Sequence, residues 1–441
     1  MKHVILGAGP AGVIAAETIR KHAPGDSIVI VGDEPEAPYS RMAIPYLLMG
    51  NVAESGTHLR HGADHFEKHR IELKRGRAAS VDTVARKVAL EDGSTLDYDR
   101  LLVATGSSPA SPPIPGINSA GVHSCWTLAD ARAIMKLANR NARVVQMGAG
   151  FIGCIILEAL AARGVHLTVV EMGDRMVPRM MGPTAGGMIK DWCESKGVRV
   201  FTGARVSAIE SGGGGGGVLS KIASAVGLGN EDDAAPLRVK LSNGETIAAD
   251  LVISATGVKP NIGFLEKSSI KCLLGVLTDE HLQTNVPGVY AAGDCAEAFD
   301  KISGKTIVSA IQPNAADQAR IAALNMVGQR AALPGVTQIN VLDTLGLVST
   351  SFGDWAGVPG GQSAELTDRK AGRHLSLQFS GDRMVGCNSI GWTDHVGVMR
   401  GLVEGQVSLG EWKARLIADP TKLMEAYLAR AQAQSAHALV K

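Results

Sequence analysis

The chain has 441 residues, of which 45% are hydrophobic and 20% are charged. This is the composition of a globular protein with ample apolar material for its cores, and it excludes a chain that is disordered throughout. The 44 Lys and Arg residues nearly balance the 43 Asp and Glu residues, so no basic excess supports nucleic-acid binding.

The six cysteines are spaced singly, without any C-x-x-C pair. Such spacing argues against a disulfide scaffold, a zinc ribbon and a redox dithiol, and it suits the reducing cytosol. No apolar run approaches the ~20 residues of a membrane-spanning helix, and the first residues do not follow a signal-peptide pattern. We therefore expect a soluble protein of the cytoplasm.

The first predicted element is a buried strand at residues 3–6, followed by the glycine string Gly7-Ala8-Gly9-Pro10-Ala11-Gly12 and a helix. In a G-x-G-x-x-G string the first glycine makes a tight turn, the second lets a pyrophosphate approach, and the third lets helix and strand pack closely. The next strand, residues 28–31, ends at Asp33 and Glu34. A carboxylate at that spacing accepts hydrogen bonds from an adenosine ribose.

The chain then repeats this plan. A strand at residues 143–147 leads into Gly148-Ala149-Gly150-Phe151-Ile152-Gly153 and a helix, and the following strand ends at Glu171. Each copy closes on the same tripeptide, Ala104-Thr105-Gly106 in the first and Ala255-Thr256-Gly257 in the second. The duplication predicts two nucleotide-binding folds in one chain.

The second copy contains a glycine-rich excursion at residues 211–235, with six consecutive glycines and an acidic cluster. Such a segment buries too little apolar area to order itself, so we expect a flexible insertion between two strands. A nest of glycine amides that binds an anion is the less favoured alternative.

From about residue 278 the chain returns to the first fold. A strand ends at Gly293-Asp294, and Gln312-Pro313-Asn314-Ala315 opens a helix. Alternating apolar stretches after residue 334 predict a third, α+β module with an antiparallel sheet. The predicted fold class is α/β, with two Rossmann-like dinucleotide-binding domains and a C-terminal α+β module. The predicted segments are 1–113 and 258–333 for the first domain, 114–257 for the second and 334–441 for the third.

Both glycine strings, both Ala-Thr-Gly ends and Gly293-Asp294 resemble the two-dinucleotide-binding-domain flavoproteins, the pyridine nucleotide-disulfide oxidoreductase superfamily. This group includes glutathione reductase, coenzyme A disulfide reductase, and the ferredoxin and rubredoxin reductases. Residues 312–320 are similar to the ferredoxin reductases, and the run Pro38-Tyr39-Ser40-Arg41 resembles those enzymes and the nitrite reductase flavin domains. The resemblance implies that the first domain binds FAD, that the second binds NAD(P)H, and that the third is an interface domain.

The resemblance also implies which residues contact the cofactors. Asp294 is expected to bond the FAD ribityl chain, and the helix that starts near Gln312 is expected to direct its N-terminus at the flavin pyrimidine ring. The expected FAD contacts are Gly7, Gly9, Pro10, Ala11, Gly12, Asp33, Glu34, Arg41, Ala79, Ala104, Thr105, Gly106, Gly293, Asp294, Gln312 and Ala315. The expected NAD(P)H contacts are Gly148, Gly150, Phe151, Ile152, Gly153, Glu171 and Gly257.

Glu171 favours NADH over NADPH as the reductant. A carboxylate accepts both ribose hydroxyls of NADH and repels the additional phosphate of NADPH. Arg175, four residues on, could soften that preference.

The sequence departs from the disulfide-reducing branches at the acceptor side. Met42 stands where those enzymes have a redox cysteine, and a thioether forms neither a thiolate nor a mixed disulfide. The family's flavin-side Lys and Glu are also missing, because Ile155 occupies the Glu position and Pro45-Tyr46 the Lys region. Glu158 is either a displaced substitute or, as we favour, a structural helix carboxylate.

Other candidates are weaker. Four histidines at helical spacing, His58, His61, His65 and His69, would allow a metal clip, but the neighbouring cations favour a solvated face and no metal. Cys154 is more easily explained as a core thiol than as a group beside the nicotinamide. Asp394-His395 would reach a partner's flavin in a family-type dimer, although an ordinary surface or core role is favoured.

The sequence thus predicts an FAD-dependent NAD(P)H oxidoreductase that takes hydride from NADH and passes electrons to a redox protein such as a ferredoxin. No catalytic side chain is needed for the hydride step, because the flavin supplies the chemistry. The alternatives are an NADH oxidase or quinone-type reductase with a small acceptor, and an apoptosis-inducing-factor-like flavoprotein with a non-catalytic role. Residues 341–350 resemble the start of the dimeric enzymes' interface domain, so we expect a homodimer.

Overall fold

The structure is a computed structural model that describes residues 1–62, 64–212 and 235–438, with side chains described as far as residue 430. The N-terminal part alternates strands with short helices. Its strands are β1 (Lys2–Leu6), β2 (Ser27–Gly32), β3 (Ile71–Arg75), β4 (Ala78–Asp82), β5 (Lys87–Leu90), β6 (Thr95–Asp97), β7 (Arg100–Val103), β8 (Ser107–Pro109) and β9 (Val122–His123). Its helices are α1 (Pro10–His22), α2 (Ile44–Met49) and α3 (His65–Lys68).

The middle of the chain repeats the alternation. Its strands are β10 (Arg143–Met147), β11 (His166–Glu171), β12 (Arg199–Thr202), β13 (Val206–Ser211), β14 (Leu237–Leu241), β15 (Thr246–Ala249), β16 (Leu251–Ser254) and β17 (Val258–Pro260). Its helices are α4 (Leu128–Leu137), α5 (Phe151–Ala162) and α6 (Pro183–Ser195).

The last part contains mostly antiparallel strands and the remaining helices. The strands are β18 (Val276–Leu277), β19 (Val289–Ala291), β20 (Ala296–Phe299), β21 (Thr306–Val308), β22 (Ile339–Thr344), β23 (Leu347–Gly353), β24 (Gln362–Asp368), β25 (Arg373–Ser380) and β26 (Arg383–Ile390). The helices are α7 (Gln312–Met326), α8 (Val396–Glu404), α9 (Glu411–Ala418) and α10 (Leu423–Ala438).

The chain divides into two compact units. Unit 1 consists of Met1–Ala43, Val52–Ser108 and Val258–Gln338. Unit 2 consists of Ile44–Asn51, Pro109–Gly257 and Ile339–Lys441. The division into four domain segments stays a prediction.

Unit 1 is built on a parallel sheet with the strand order β19-β7-β1-β2-β3. Its central strands are buried on both faces, as expected for a parallel sheet covered on each side. On one face Ile5 and Leu102 pack in a core with α1 and α7. On the other face Val4 and Leu101 pack in a second core that includes Val88 of the small β4-β5-β6 sheet.

Unit 2 repeats this plan with a parallel sheet in the order β12-β11-β10-β16-β9, and it adds the three-stranded sheet β13-β14-β15. The sequence of unit 2 then ends with an antiparallel sheet in the order β22-β23-β26-β25-β24. We call residues 339–430 the third module. Its sheet buries an unusual polar row, because Ser351 and Ser376 lie opposite Asn388 in neighbouring strands and all three side chains are buried.

One local prediction differs from the structure, and a second lies largely outside the described residues. The four histidines at helical spacing do not share one helix. The helix α3 covers only His65–Lys68, and His58 is the C-cap of an earlier 3-10 turn. Most of the predicted glycine-rich excursion lies outside the described residues, while its flanking strands β13 and β14 pair with Ser211 opposite Leu237.

Candidate functional site

The first glycine string makes the turn between β1 and α1 in unit 1. Gly7 has a φ of +121°, and a Cβ there would lie 2.0 Å from the carbonyl oxygen of Ala104. A Cβ on Gly12 would lie 1.9 Å from the carbonyl oxygen of Gly7, so both positions require glycine. A Cβ on Gly9, in contrast, would meet nothing within 4 Å. The turn therefore leaves open space beside Gly9 at the positive end of α1, where an anion is favoured.

The two acids after β2 have different environments. The Glu34 carboxylate accepts hydrogen bonds from the Tyr39 hydroxyl at 2.5 Å and from Arg41 Nη2 at 2.6 Å. The Asp33 side chain is 53% exposed, and its carboxylate lies 3.8 Å from Arg77 Nε. Asp33 is thus the more accessible acid, while Glu34 holds the segment that carries Arg41.

Asp294 lies in a tight turn between α1 and α7. Gly293 has a φ of +83°, and a Cβ added there would lie 3.3 Å from the Cβ of Ala11 and 3.6 Å from the Cβ of Ala315. Ser107 Oγ donates to Asp294 Oδ2 at 2.8 Å. Burial raises the pKa of Asp294, against the opposing effects of the Ser107 hydrogen bond and the Arg41 charge. A half-buried carboxylate of this kind is a group that a hydrogen-bond donor of a ligand would stabilise.

The N-terminus of α7 is tied to the same region. Gln312 Oε1 accepts a hydrogen bond from Ser40 Oγ at 2.7 Å, which fixes Ser40 and the adjoining Arg41 beside the start of the helix. Asn314 is buried and donates to Ser309 Oγ and to the carbonyl oxygen of Thr337. The first turn of α7 is therefore held by side chains from separate parts of unit 1.

Sequence reasoning missed two residues that organise this region. Asn261 Nδ2 donates to the carbonyl oxygen of Thr105, whose hydroxyl donates back to the carbonyl oxygen of Asn261. Gln318 accepts from the Gly293 amide. No local pattern marks either position, because each acts on a distant segment. Ala79 is exposed at an irregularity between Ala78 and Ser80 in the β4–β5 pairing.

The second glycine string has the same geometry in unit 2. Gly148 has a φ of +96°, and a Cβ there would lie 2.5 Å from the carbonyl oxygen of Ala255. A Cβ on Gly153 would lie 2.6 Å from the carbonyl oxygen of Gly148, whereas a Cβ on Gly150 would meet nothing within 4 Å. The two units thus present the same open position before the helices α1 and α5.

Glu171 ends β11 with both carboxylate oxygens occupied by backbone donors. Oε2 accepts from the Ala149 amide at 2.7 Å, and Oε1 accepts from the Gly173 amide at 2.7 Å. The nearby Arg175 donates to the carbonyl oxygen of Met181 at 2.8 Å and to the Asp174 carboxylate at 2.6 Å. The hydrogen bonds of Arg175 thus stay within the loop that follows β11, which the sequence did not predict.

Cys154 and Glu158 lie on α5, and Met42 lies on an earlier turn. Cys154 is fully buried with its thiol near the carbonyl oxygen of Ala149, and burial raises its pKa. Met42 lies in a 3-10 turn and is 47% exposed. Burial and the Asp343 charge raise the pKa of Glu158.

Within residues 1–62, 64–212 and 235–438, no group of three or more His, Cys, Asp or Glu side chains is placed to bind a metal.

The same described residues contain no helix that is both long and apolar enough to span a bilayer. In the third module, Asp394 is exposed and His395 immediately precedes α8. Their predicted approach to a partner's flavin stays a prediction.

Known proteins resemble the chain over most of its length. A family profile described as pyridine nucleotide-disulphide oxidoreductase matches residues 1–319. Subunit epsilon of the NADH-dependent phenylglyoxylate dehydrogenase of Aromatoleum evansii is 30% identical over 423 residues, which are 95% of each chain. An NADH oxidase of Methanocaldococcus jannaschii is 30% identical over 414 residues, 89% of this chain and 88% of that one. A solved ferredoxin reductase from Rhodopseudomonas palustris is 26% identical with a TM-score of 0.77, covering 88% of this chain and 91% of that one.

Proposed function

The chain belongs to the pyridine nucleotide-disulphide oxidoreductase family, and we propose that its two glycine turns hold different dinucleotides, FAD in unit 1 and NADH in unit 2. The chain is an NAD(P)H-dependent flavoprotein oxidoreductase that uses FAD and NADH. The observation that carries the proposal is the repeated open position, at Gly9 before α1 and at Gly150 before α5.

The residues of unit 1 fit FAD. The open space at Gly9 and the amides that begin α1 suit the pyrophosphate, and the exposed Asp33 suits a ribose hydroxyl. The half-buried Asp294 offers a carboxylate to a polar chain, and the first turn of α7 directs helix amides toward electron-rich ring atoms. FAD, when bound, supplies two-electron acceptance of hydride and one-electron release to an acceptor.

The residues of unit 2 fit NADH. The amides at the start of α5 suit its pyrophosphate, and Glu171 places a carboxylate after β11, where a ribose with two free hydroxyls is favoured over one with a phosphate. Arg175 is engaged by Met181, Asp174 and Pro178, so its guanidinium would have to leave these partners to bind that phosphate. The residues of unit 2 bind and orient NADH. Transfer of a hydride from NADH to the flavin does not require a side chain to move a proton.

We propose a redox protein with an iron–sulfur centre as the electron acceptor. Met42 replaces the redox cysteine, so the family's redox position offers no thiol to a disulfide substrate, and five of the six cysteines are buried. The similarity to a subunit of a larger NADH-dependent dehydrogenase and to a ferredoxin reductase supports a protein acceptor. The similarity to an NADH oxidase supports the second candidate, direct reduction of oxygen or another small oxidant.

Steady-state turnover decides between these acceptors. The FAD-loaded protein is mixed with NADH and either a ferredoxin, oxygen, or menadione as a quinone. The proposal expects turnover with ferredoxin to exceed turnover with oxygen or menadione. Equal or faster oxygen consumption would instead assign the chain as an oxidase, and a lack of flavin reduction by NADH would remove the function altogether.

We further propose a cytoplasmic homodimer that pairs through the third module. Large apolar residues of the module such as Phe352 and Leu402 are buried in the chain's own core. The support comes from apolar side chains that stay exposed, namely Val341, Leu366, Ile417 and Leu428. Sedimentation at micromolar concentration tests the pairing, because a single 45.9 kDa species would contradict it.

A further inference from the structure

The loop between β11 and α6, residues 172–182, contains a strained residue. Val177 is fully buried and has a φ of +49°. A β-branched side chain disfavours this left-handed region, so the conformation persists only where its surroundings enforce it. Residues held in this way cluster at ligand sites, which makes the contacts of the loop informative.

Val177 joins the loop to the second glycine string. Its amide donates to the carbonyl oxygen of Ala149 at 2.8 Å, and its own carbonyl oxygen accepts from the amides of Met180 and Met181. The Ala149 amide in turn donates to Glu171. Ala149 is therefore held on both sides, by Glu171 through its N–H and by the loop through its carbonyl oxygen.

A side chain of the third module holds the same loop from its other side in sequence, after Val177. Asn388 of β26 is 1% exposed. Its Nδ2 donates to the carbonyl oxygen of Met180 at 2.9 Å, and its Oδ1 accepts from the Gly182 amide at 2.9 Å. Gly182 is the residue immediately before α6. The Asn388 side chain thus holds the carbonyl oxygen of Met180 and the amide of Gly182, three and five residues after the strained Val177.

We propose that Asn388 is a positioning residue for the NADH site. By holding Met180 and Gly182 it keeps Val177 in its left-handed conformation, and through Val177 it holds Ala149 between the two glycines that frame the pyrophosphate position. This inference rests on the proposed binding of NADH by unit 2. It gives the third module a role in nucleotide binding that is separate from any role in pairing two chains.

Asn388→Leu tests the inference, because leucine keeps the approximate volume and removes both hydrogen bonds to the loop. We expect the KM for NADH and the calorimetric Kd for NAD⁺ each to rise about tenfold, as the loss of two buried hydrogen bonds would give. The kcat at saturating NADH and the FAD content should stay as in the wild type. Hydrogen exchange should become faster in the peptide covering residues 172–182.

Ser376→Ala is the matched control. Ser376 lies directly opposite Asn388 in β25 and is buried, but its hydroxyl interacts with Glu365 and Gln378 and not with the loop. This variant should leave the KM, the Kd and the exchange of the loop unchanged. Equal effects in the two variants would reduce Asn388 to a general packing role and overturn the inference.

A second variant keeps the inference testable if Asn388→Leu does not fold. Asn388→Ser keeps a polar group with less reach, and the double variant V177G/N388S replaces the strained residue with glycine, which adopts this φ without cost. We expect glycine to restore part of the NADH affinity that Asn388→Ser loses. Unchanged affinity in Asn388→Ser would overturn the inference. A wild-type protein that fails to bind NADH would instead overturn the proposed function.

Discussion

The side-chain oxygen of Gln318 accepts a 2.7 Å hydrogen bond from the backbone amide of Gly293. Gln318 is fully buried on α7, and Gly293 begins the turn that presents Asp294. The bond therefore couples the orientation of a proposed FAD ligand to the interior of a helix, at a distance in sequence that no local motif spans.

Replacing Gln318 with Met should loosen this turn. The Gly293 amide would be left without its acceptor in a buried position, at a cost of about 1–3 kcal/mol in the free energy of unfolding. We expect weaker FAD binding as well, measured by quenching of flavin fluorescence. Asp317→Asn is the control, because Asp317 is 62% exposed on the same helix and its ion pair with Arg320 contributes little. Equal FAD affinity in the wild type and in Gln318→Met would contradict the coupling.

Asp294→Asn should affect FAD binding and stability in opposite directions. Burial raises the pKa of Asp294 in the folded chain, so this ionised carboxyl opposes folding once the pH exceeds its ordinary value of about 3.9. We expect the FAD-free variant to melt at a higher temperature than the wild type at pH 7. This advantage should disappear below pH ~4, where the carboxyl is protonated in both folded and unfolded chains. FAD affinity should fall, and a variant that binds FAD as tightly as the wild type would exclude Asp294 as a ligand.

Glu171→Ala should weaken NADH binding more than NADPH binding. The variant removes the carboxylate proposed to accept ribose hydrogen bonds, at a cost of about 1–3 kcal/mol in NADH binding, while NADPH also loses a source of repulsion. Calorimetric titration with the oxidised nucleotides measures both values. Asp191→Ala serves as the control, since that acid lies on α6, is 68% exposed and does not contact Arg175. Equal losses for the two nucleotides would show that Glu171 does not determine the preference.

Thiol labelling should find a single accessible cysteine. Burial raises the pKa of Cys125 and of Cys193 to about 12, and Cys154 and Cys387 are fully buried. Only Cys272 is partly exposed among the six. We expect at most one equivalent of Ellman's reagent to react in the native protein at pH 8, and all six after denaturation. Rapid reaction of two or more thiols with the reagent would instead support electron transfer through a pair of cysteines.

The local parts of the site were predictable from the sequence. A strand, a glycine string, a helix and an acid follow one another within a short stretch, so Gly9 and Gly150 could be located without any tertiary information. The same reasoning could not separate Asp33 from Glu34, because their different roles depend on Tyr39 and on the folded path that brings it back to Glu34.

The supporting residues were not predictable in the same way. Asn261 binds Thr105, Gln318 binds Gly293, and Asn388 binds Met180. Each is a polar side chain without a motif, and each acts across a large sequence separation. Their importance follows only from burial, because a buried amide or carbonyl group that lacks a partner is costly.

The discontinuity of unit 1 also bears on how the chain is made. The ribosome releases β1, β2, β3 and β7 early, but β19, which completes that parallel sheet beside β7, comes after every strand of the parallel sheet of unit 2. Until Val289–Ala291 emerges, β7 lacks its outer neighbour, and an unpaired edge strand invites association with other nascent chains. The parallel sheet that begins second in the sequence therefore has all its strands first during synthesis.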